Sequence, residues 1–105
     1  MMFGLTQRVI DKINTVFMAY PEVEKVIIYG SRAKGTFREG SDIDLAMIGE
    51  HLNENLRSRI YWQLDDLDTP YLFDLSLLSS ITNEKLIADI KRDGQPFYIK
   101  NKENE

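Results

Sequence analysis

The sequence predicts a single α+β domain in which three short strands alternate with three amphipathic helices. Its 105 residues suit one small domain rather than two. Apolar residues recur at helical spacing in three segments, and three other segments are short runs of β-branched and aromatic residues. Only residues 30–41 separate the first two of these runs. Because that connection is too short for a long crossover helix, we expect the first two strands to be antiparallel neighbours.

The first half of the chain contains one helix and two strands. The helix is predicted to begin at Thr6, whose hydroxyl can cap the free amides of the first turn, and to end at Pro21. The first strand, Glu24 to Tyr29, is almost continuously apolar, as expected for a strand that is covered on both faces. Residues 30–41 are rich in glycine, small and charged residues and predict a loop with one helical turn. In the second strand, Asp42 to Ile48, apolar residues alternate with acidic or small ones.

The second half adds two helices and one strand. The second helix is predicted from about Asn53 to Leu67, because leucine and isoleucine residues lie along one face. The third strand is predicted from Tyr71 to Leu78. The last helix covers Asn83 to Arg92 and is stopped by Gly94, a residue type that is common just past helix ends.

The domain is predicted to comprise residues 1–99, and residues 100–105, KNKENE, are predicted to form a frayed charged tail. Apolar residues make up 43% of the chain and charged residues 29%, which is typical of a soluble globular protein. No apolar run approaches the roughly 20 residues of a membrane span, and the N-terminal segment lacks the features of a signal peptide. The absence of cysteine excludes disulfides and thiolate metal sites and fits a reducing cytosol. We therefore expect a cytoplasmic protein with no membrane partner.

The net charge of −4 argues against long nucleic acid as the main partner, because phosphate binding usually shows as a basic face. A single nucleotide needs only a few local cations, and the chain has such cations after its first strand. Gly30 lets a phosphate approach the backbone closely, and Ser31 adds a hydroxyl at the start of a helical turn. Three basic residues, and a further serine at the end of the same loop, are candidates for nucleotide contacts. These are Arg32, Lys34, Arg38 and Ser41.

Three aspartates complete the candidate site. Asp42 and Asp44 are two residues apart on one strand, so their side chains point the same way and can share or bridge magnesium ions. Asp74 is the only charged residue between Tyr71 and Leu78, and a carboxylate in an apolar strand is costly to desolvate unless something pairs with it. A metal ion, or a hydroxyl nucleophile that Asp74 deprotonates, would account for its position.

The order of these residues resembles the signature of the DNA polymerase β-like nucleotidyltransferases, which is Gly-Ser, ten residues, and then Asp42-Ile43-Asp44 in this chain. The GSRAKG stretch at residues 30–35 is similar to the short form in minimal nucleotidyltransferase (MNT) proteins, where GSRARG is frequent and Lys34 is more often arginine. The resemblance covers nearly the full chain, to about Ile99. It implies a mixed three-stranded sheet with helices on one side, in the order α-β-turn-β-α-β-α.

The resemblance also implies a role for each motif residue. Gly30 and Ser31 are expected to hold the triphosphate of ATP. Asp42 and Asp44 are expected to bind magnesium, and Asp74 is expected to contact a metal ion and to act as the base or assist it. Two Mg²⁺ ions, roughly 3.5–4 Å apart, would then stabilise the attacking and leaving oxygens of phosphoryl transfer.

The same family implies a partner. Larger nucleotidyltransferases add a helical domain that helps to enclose base and acceptor, and residues 1–99 have no space for one, so we expect another chain to complete the site. MNT proteins are usually paired with a small helical HEPN protein, a ribonuclease toxin, and some transfer AMP from ATP to a tyrosine of that toxin. The predicted function is this transfer within a hetero-oligomer. Two alternatives stay open: a non-catalytic nucleotide-binding antitoxin that neutralises its partner by complex formation, and a transferase acting on a small molecule such as an aminoglycoside.

Other polar and aromatic residues are assigned to the surface or the core. Asp65, Asp66 and Asp68 are predicted to form a solvated acidic surface, and the only histidine, His51, is predicted to be an exposed loop residue. Tyr61 and Trp62 are predicted to pack in the core, with a contact interface as the alternative. The apolar segment Gln95 to Ile99 either covers the core or belongs to a contact surface.

Overall fold

The computed structural model describes residues 1–100, and every predicted helix and strand forms. The helices are α1 Gln7–Met18, α2 Ser31–Lys34, α3 Glu54–Asp65 and α4 Glu84–Asp93. The strands are β1 Lys25–Tyr29, β2 Ile43–Ile48, β3 Phe73–Leu77 and β4 Gln95–Ile99, with a 3-10 turn at Leu78–Ser80. Residues 101–105, most of the predicted tail, lie outside the described residues. Lys100 hydrogen-bonds through its amide to the carbonyl of Glu24 and through its ammonium to that of Pro21.

Side-chain caps determine where the three long helices begin. Thr6 precedes α1 as predicted, and its hydroxyl accepts from the Val9 amide. Asn53 and Asn83 do the same for α3 and α4, each accepting from the amide three residues later. Each cap satisfies an amide that has no partner inside its helix, so the chain direction at the start of each helix is set locally.

The sheet is mixed, with the strand order β3-β2-β1-β4. β1 and β2 are antiparallel, as predicted, and β2 and β3 are parallel. The prediction of three strands is wrong, because Gln95–Ile99 adds β4 antiparallel to β1. A bulge between Val26 and Ile27 interrupts this pairing, and both Phe97 and Tyr98 pack against the core. The alternation that marks a strand in a sequence is therefore missing.

Helices cover both faces of the sheet, which corrects the expectation that they lie on one side. On one face, α1 and α3 enclose the main core with the alternate residues of the strands, including Val26, Ile28 and Leu45. On the other face, Ile90 of α4 packs with Tyr29 and Ala46 in a second, smaller cluster. The near-continuous apolar character of β1 follows from this coverage on both faces.

The predictions of which polar and aromatic residues are exposed or buried are confirmed in part. His51 is exposed, as predicted, and so are Asp65, Asp66 and Asp68 at the end of α3. Tyr61 packs against the main core, but Trp62 is 63% exposed, so the core assignment of Trp62 is wrong. Among residues 1–100, no helix is both long enough and apolar enough to cross a bilayer.

Candidate functional site

The Gly-Ser corner and the carboxylate of Asp44 are in direct contact. Gly30 has φ +72° and ψ −155°, a conformation that side-chain-bearing residues rarely adopt. A methyl group added at Gly30 would collide with Oδ2 of Asp44. Two independent constraints, the positive φ and the contact with the Asp44 carboxylate, therefore require glycine here.

Helix α2 begins directly after Gly30, at Ser31. The Lys34 amide donates to the Gly30 carbonyl at 3.1 Å, and the Thr36 amide donates to the Ser31 carbonyl at 3.0 Å. The Ser31 hydroxyl is half-exposed and makes no hydrogen bond within residues 1–100, and the Lys34 side chain is exposed. Both groups are thus free to contact a ligand beside the corner.

The strand pairing brings two of the three aspartates, Asp44 and Asp74, to one end of one sheet face. Asp44 lies opposite Tyr29 on β1 and opposite Asp74 on β3. Because directly paired residues of neighbouring strands point to the same face, Asp44 and Asp74 share the face that carries α4. Asp42 precedes Asp44 by two residues and is exposed. Asp44 and Asp74 therefore lie side by side at this end of the sheet face, and the convergence of all three carboxylates on one metal site stays a prediction.

The electrostatics of this cluster favour a cation. Burial raises the pKa of Asp44 to about 6, and the charges of Asp74 and Asp42 contribute to the rise, while Arg32 opposes it. The Asp44 carboxylate is half-buried and accepts no hydrogen bond from residues 1–100. A negative charge held in this way is stabilised when a metal ion approaches.

The donor set suits magnesium if substrate oxygens complete the coordination. Within residues 1–100, no three Asp, Glu, His or Cys side chains converge closely enough to enclose a metal ion alone. Magnesium is commonly held by one or two carboxylates together with phosphate oxygens and water. Asp42, Asp44 and Asp74 offer the right ligand type, and their mutual repulsion is the feature that a cation would relieve.

Tyr29 belongs to the site but was predicted only as a strand residue. It is 6% exposed, and burial together with the Asp74 and Asp44 charges raises the pKa of its hydroxyl, while the neighbouring Ser76 side chain opposes the rise. Tyr29 therefore lies next to the carboxylates, on the same face of the sheet. Its position could have been found from the antiparallel register alone, which sets the last residue of β1 opposite the second aspartate.

Arg32 is buried and makes structural hydrogen bonds, and its predicted phosphate contact stays a prediction. Its side chain is 3% exposed, and its guanidinium donates to the Ser41 carbonyl at 3.1 and 2.8 Å and to the Phe3 carbonyl at 2.9 Å. The rings of Phe37 and Tyr71 lie within 5.2 and 4.9 Å of its central carbon. Arg32 thus ties the corner to the N-terminal segment and to the residue that precedes Asp42, and it influences the carboxylates only through its charge.

Ser41 and Arg38 organise the loop between the corner and β2. The Ser41 hydroxyl accepts from the Arg38 amide at 2.9 Å, and the Ser41 amide donates back to the Arg38 carbonyl at 3.0 Å. Since its hydroxyl and carbonyl both have partners, Ser41 shapes the approach to Asp42. Its predicted nucleotide contact stays a prediction.

Comparisons with known proteins agree with this arrangement. The family model "Polymerase beta, Nucleotidyltransferase" matches residues 11–103. A search of curated proteins found no significant match.

Several solved structures share the fold. A toxin-antitoxin crystal structure with AMP-PNP matches with a TM-score of 0.69 and 23% identity, covering 90% of this chain and 77% of the other. The toxin-antitoxin MntA-HepT matches with a TM-score of 0.66 and 20% identity, covering 94% and 77%. The MNT antitoxin in complex with a tri-AMPylated HEPN toxin from Shewanella oneidensis gives 0.66 and 20%, covering 95% and 77%. At these identities the matches show a common fold.

Proposed function

Because the chain belongs to the polymerase beta nucleotidyltransferase family, we propose that it is a magnesium-dependent enzyme that transfers AMP from ATP to a hydroxyl group of a partner protein. One observation carries the proposal: the Asp44 carboxylate lies against Gly30 and directly opposite Asp74. A phosphate-binding corner, a metal-binding carboxylate and a candidate base are thereby adjacent.

Each residue has a separate task in the proposed reaction. Gly30 lets the Asp44 carboxylate lie against the backbone of the corner, and the Ser31 hydroxyl and Lys34 ammonium would contact the oxygens of the triphosphate. Asp42, Asp44 and Asp74 would hold Mg²⁺. Magnesium, when bound, would neutralise the triphosphate and stabilise the attacking and leaving oxygens.

Asp74 is the proposed base. It is exposed, so an acceptor hydroxyl can reach it, and it lies one strand further from the corner than Asp44. The acceptor oxygen forms a bond to the α-phosphorus, the bond from that phosphorus to the bridging oxygen of pyrophosphate breaks, and the hydroxyl proton passes to Asp74. The protein contributes mainly by positioning these groups.

We propose a HEPN-type toxin as the partner and a tyrosine hydroxyl as the acceptor, with the chain acting as the antitoxin. The MNT antitoxin of similar fold is seen with a tri-AMPylated HEPN toxin, and a second toxin-antitoxin structure of this fold contains AMP-PNP. The open side of the site at Asp74 supports a macromolecular acceptor, since a second chain could close it.

The test combines the protein, its copurified partner, Mg²⁺ and ATP labelled in the α-phosphate. Label is expected on the partner with the wild type and with Asp65→Asn, a control at the end of α3, and is expected to be absent with Asp44→Asn. If the wild type binds Mg·ATP but labels nothing, the enzymatic proposal fails. If Asp44→Asn neutralises the toxin as well as the wild type does, complex formation alone explains the antitoxin activity. Label on an added aminoglycoside without partner would instead indicate a small-molecule transferase.

A further inference from the structure

Leu72 is an exposed apolar residue on the face of the sheet that carries the site. Its side chain is 65% exposed, whereas both neighbours, Tyr71 and Phe73, pack against the main core on the other face. Because successive side chains of an extended segment point to opposite faces, Leu72 lies on the face of Asp74. An isolated exposed leucine is ordinary in itself, so its surroundings decide whether it matters.

The strand register places Leu72 beside the carboxylates. The Ile43 amide donates to the Leu72 carbonyl at 2.9 Å, which continues the parallel pairing of Asp44 with Asp74. If the register is continued by one residue beyond the first pair, Ile43 and Phe73, it sets Leu72 next to Asp42. Leu72 also precedes Asp74 by two residues, or about 6.6 Å along the strand.

The order of the strands separates the two substrates. Gly30 follows β1, Asp44 lies on β2, and Asp74 lies on β3 at the edge of the sheet. With the phosphates at the corner after β1, the acceptor has to approach over β3. Helix α4 packs over β1 and β2, through contacts of Ile90 with Tyr29 and Ala46, while Asp74 and Leu72 stay exposed.

We propose that Leu72 is an acceptor-binding residue that selects a hydroxyl carried on an apolar or aromatic side chain. This inference rests on the proposed function and names a contact for its second substrate. A phenol ring with its hydroxyl at Asp74 would cover Leu72 and remove its apolar surface from water. A serine side chain or a polycationic sugar would leave that surface exposed. The transfer itself is unchanged: the phenol oxygen bonds to the α-phosphorus, pyrophosphate leaves, and Asp74 takes the proton.

The test compares Leu72→Gln, Leu72→Met and Met18→Gln in labelling of the partner protein at varied partner concentration. Met18 is a matched control, because it is 70% exposed and ends α1, which packs on the other face of the sheet from the site. Leu72→Gln is expected to raise KM for the partner at least about tenfold, since an apolar contact is lost. Leu72→Met is expected to retain the wild-type KM, and so is Met18→Gln. The thermal shift with Mg·ATP serves to separate acceptor binding from nucleotide binding, and mass spectrometry identifies the labelled residue.

The outcomes distinguish the inference from the function on which it rests. A KM effect of Leu72→Gln with a wild-type thermal shift, and label on tyrosine, supports the inference. Transfer by the wild type with an unchanged KM in Leu72→Gln overturns the inference alone, as does label on a serine or threonine. An equal KM effect in Met18→Gln also overturns it, because the loss would then be general to exposed apolar residues. Absence of transfer by the wild type overturns the proposed function.

Discussion

Replacing Asp44 by Asn should stabilise the protein when no metal is present. The folded structure raises the pKa of Asp44 to about 6, through burial and the charges of Asp74 and Asp42, from an ordinary value of about 4. The folded state therefore binds a proton more tightly than the unfolded chain does. As pH rises from about 4 through 6, the metal-free protein loses this stability, and the full cost is present above pH 7.

The size of this effect follows from the shift. A difference of about 2 between the folded and unfolded pKa of Asp44 corresponds to about 3 kcal/mol of unfolding free energy without solvent screening. Because Asp44 is only half-buried, solvent screening reduces the expected value to about 1 kcal/mol. For a domain of this size, that raises Tm by about 5 °C. Asn preserves the shape of the side chain, and the Asp44 carboxylate accepts no hydrogen bond from residues 1–100 that the change would remove.

Thermal denaturation in EDTA at pH 5 and pH 8 measures the prediction. Asp44→Asn should exceed the wild type clearly at pH 8 and by less at pH 5. With Mg·ATP the order should reverse, since the wild type gains stability by ligand binding and the variant does not. The control Asp65→Asn should respond to Mg·ATP as the wild type does. A metal-free Asp44→Asn protein that is less stable than the wild type at pH 8 would refute the electrostatic reasoning.

Three further substitutions test the parts of the site. Gly30→Ala forces a side chain into a positive-φ position against Asp44. It should destabilise the fold by about 2 kcal/mol more than Gly35→Ala, because Gly35 has φ +81° but open space around it. Urea denaturation measures both variants, and equal effects would contradict the contact between Gly30 and Asp44. Arg32→Met should lower the free energy of unfolding by about 2–4 kcal/mol, because buried carbonyls lose charged donors. Arg38 is exposed, so Arg38→Met should leave stability unchanged in the same assay. Equal losses would argue against the structural position of Arg32. Asp74→Asn should reduce the Mg·ATP thermal shift less than Asp44→Asn does, because Asp42 and Asp44 remain as ligands, and it should abolish labelling of the partner. A variant that labels at the wild-type rate would exclude Asp74 as the base.

Some elements were predictable because their causes are local. Thr6 and Asn53 cap their helices with their own side chains, and the alternation in β2 reflects contacts on the two faces of one strand. The burial of β1 on both faces was also predictable, since a strand whose side chains are almost all apolar has to be covered on both sides. The motif residues Gly30 and Asp44 carry enough spacing information to indicate the site before any geometry is known.

Other features escaped prediction because they depend on distant parts of the chain. The bulge opposite Val26 removes the alternation that would have marked β4. The structural contacts of Arg32 were not predicted, because its place in a glycine-rich loop beside other cations indicated only a phosphate contact. Its actual partners are the carbonyls of Phe3 and Ser41, and Phe3 lies far from it in sequence. Trp62 neighbours the apolar stripe of α3 but points to solvent.

The amino-acid sequence by itself determined the helices, the first three strands and the identity of the acidic and small residues that the family motif requires, because these depend on local periodicity, caps and spacing. The tertiary structure alone decided which face of the sheet α4 covers, that Asp44 lies against Gly30 and beside Asp74, and that Leu72 stays uncovered near them. These features arise from strand order and register, and register is a relation between segments that no single segment encodes.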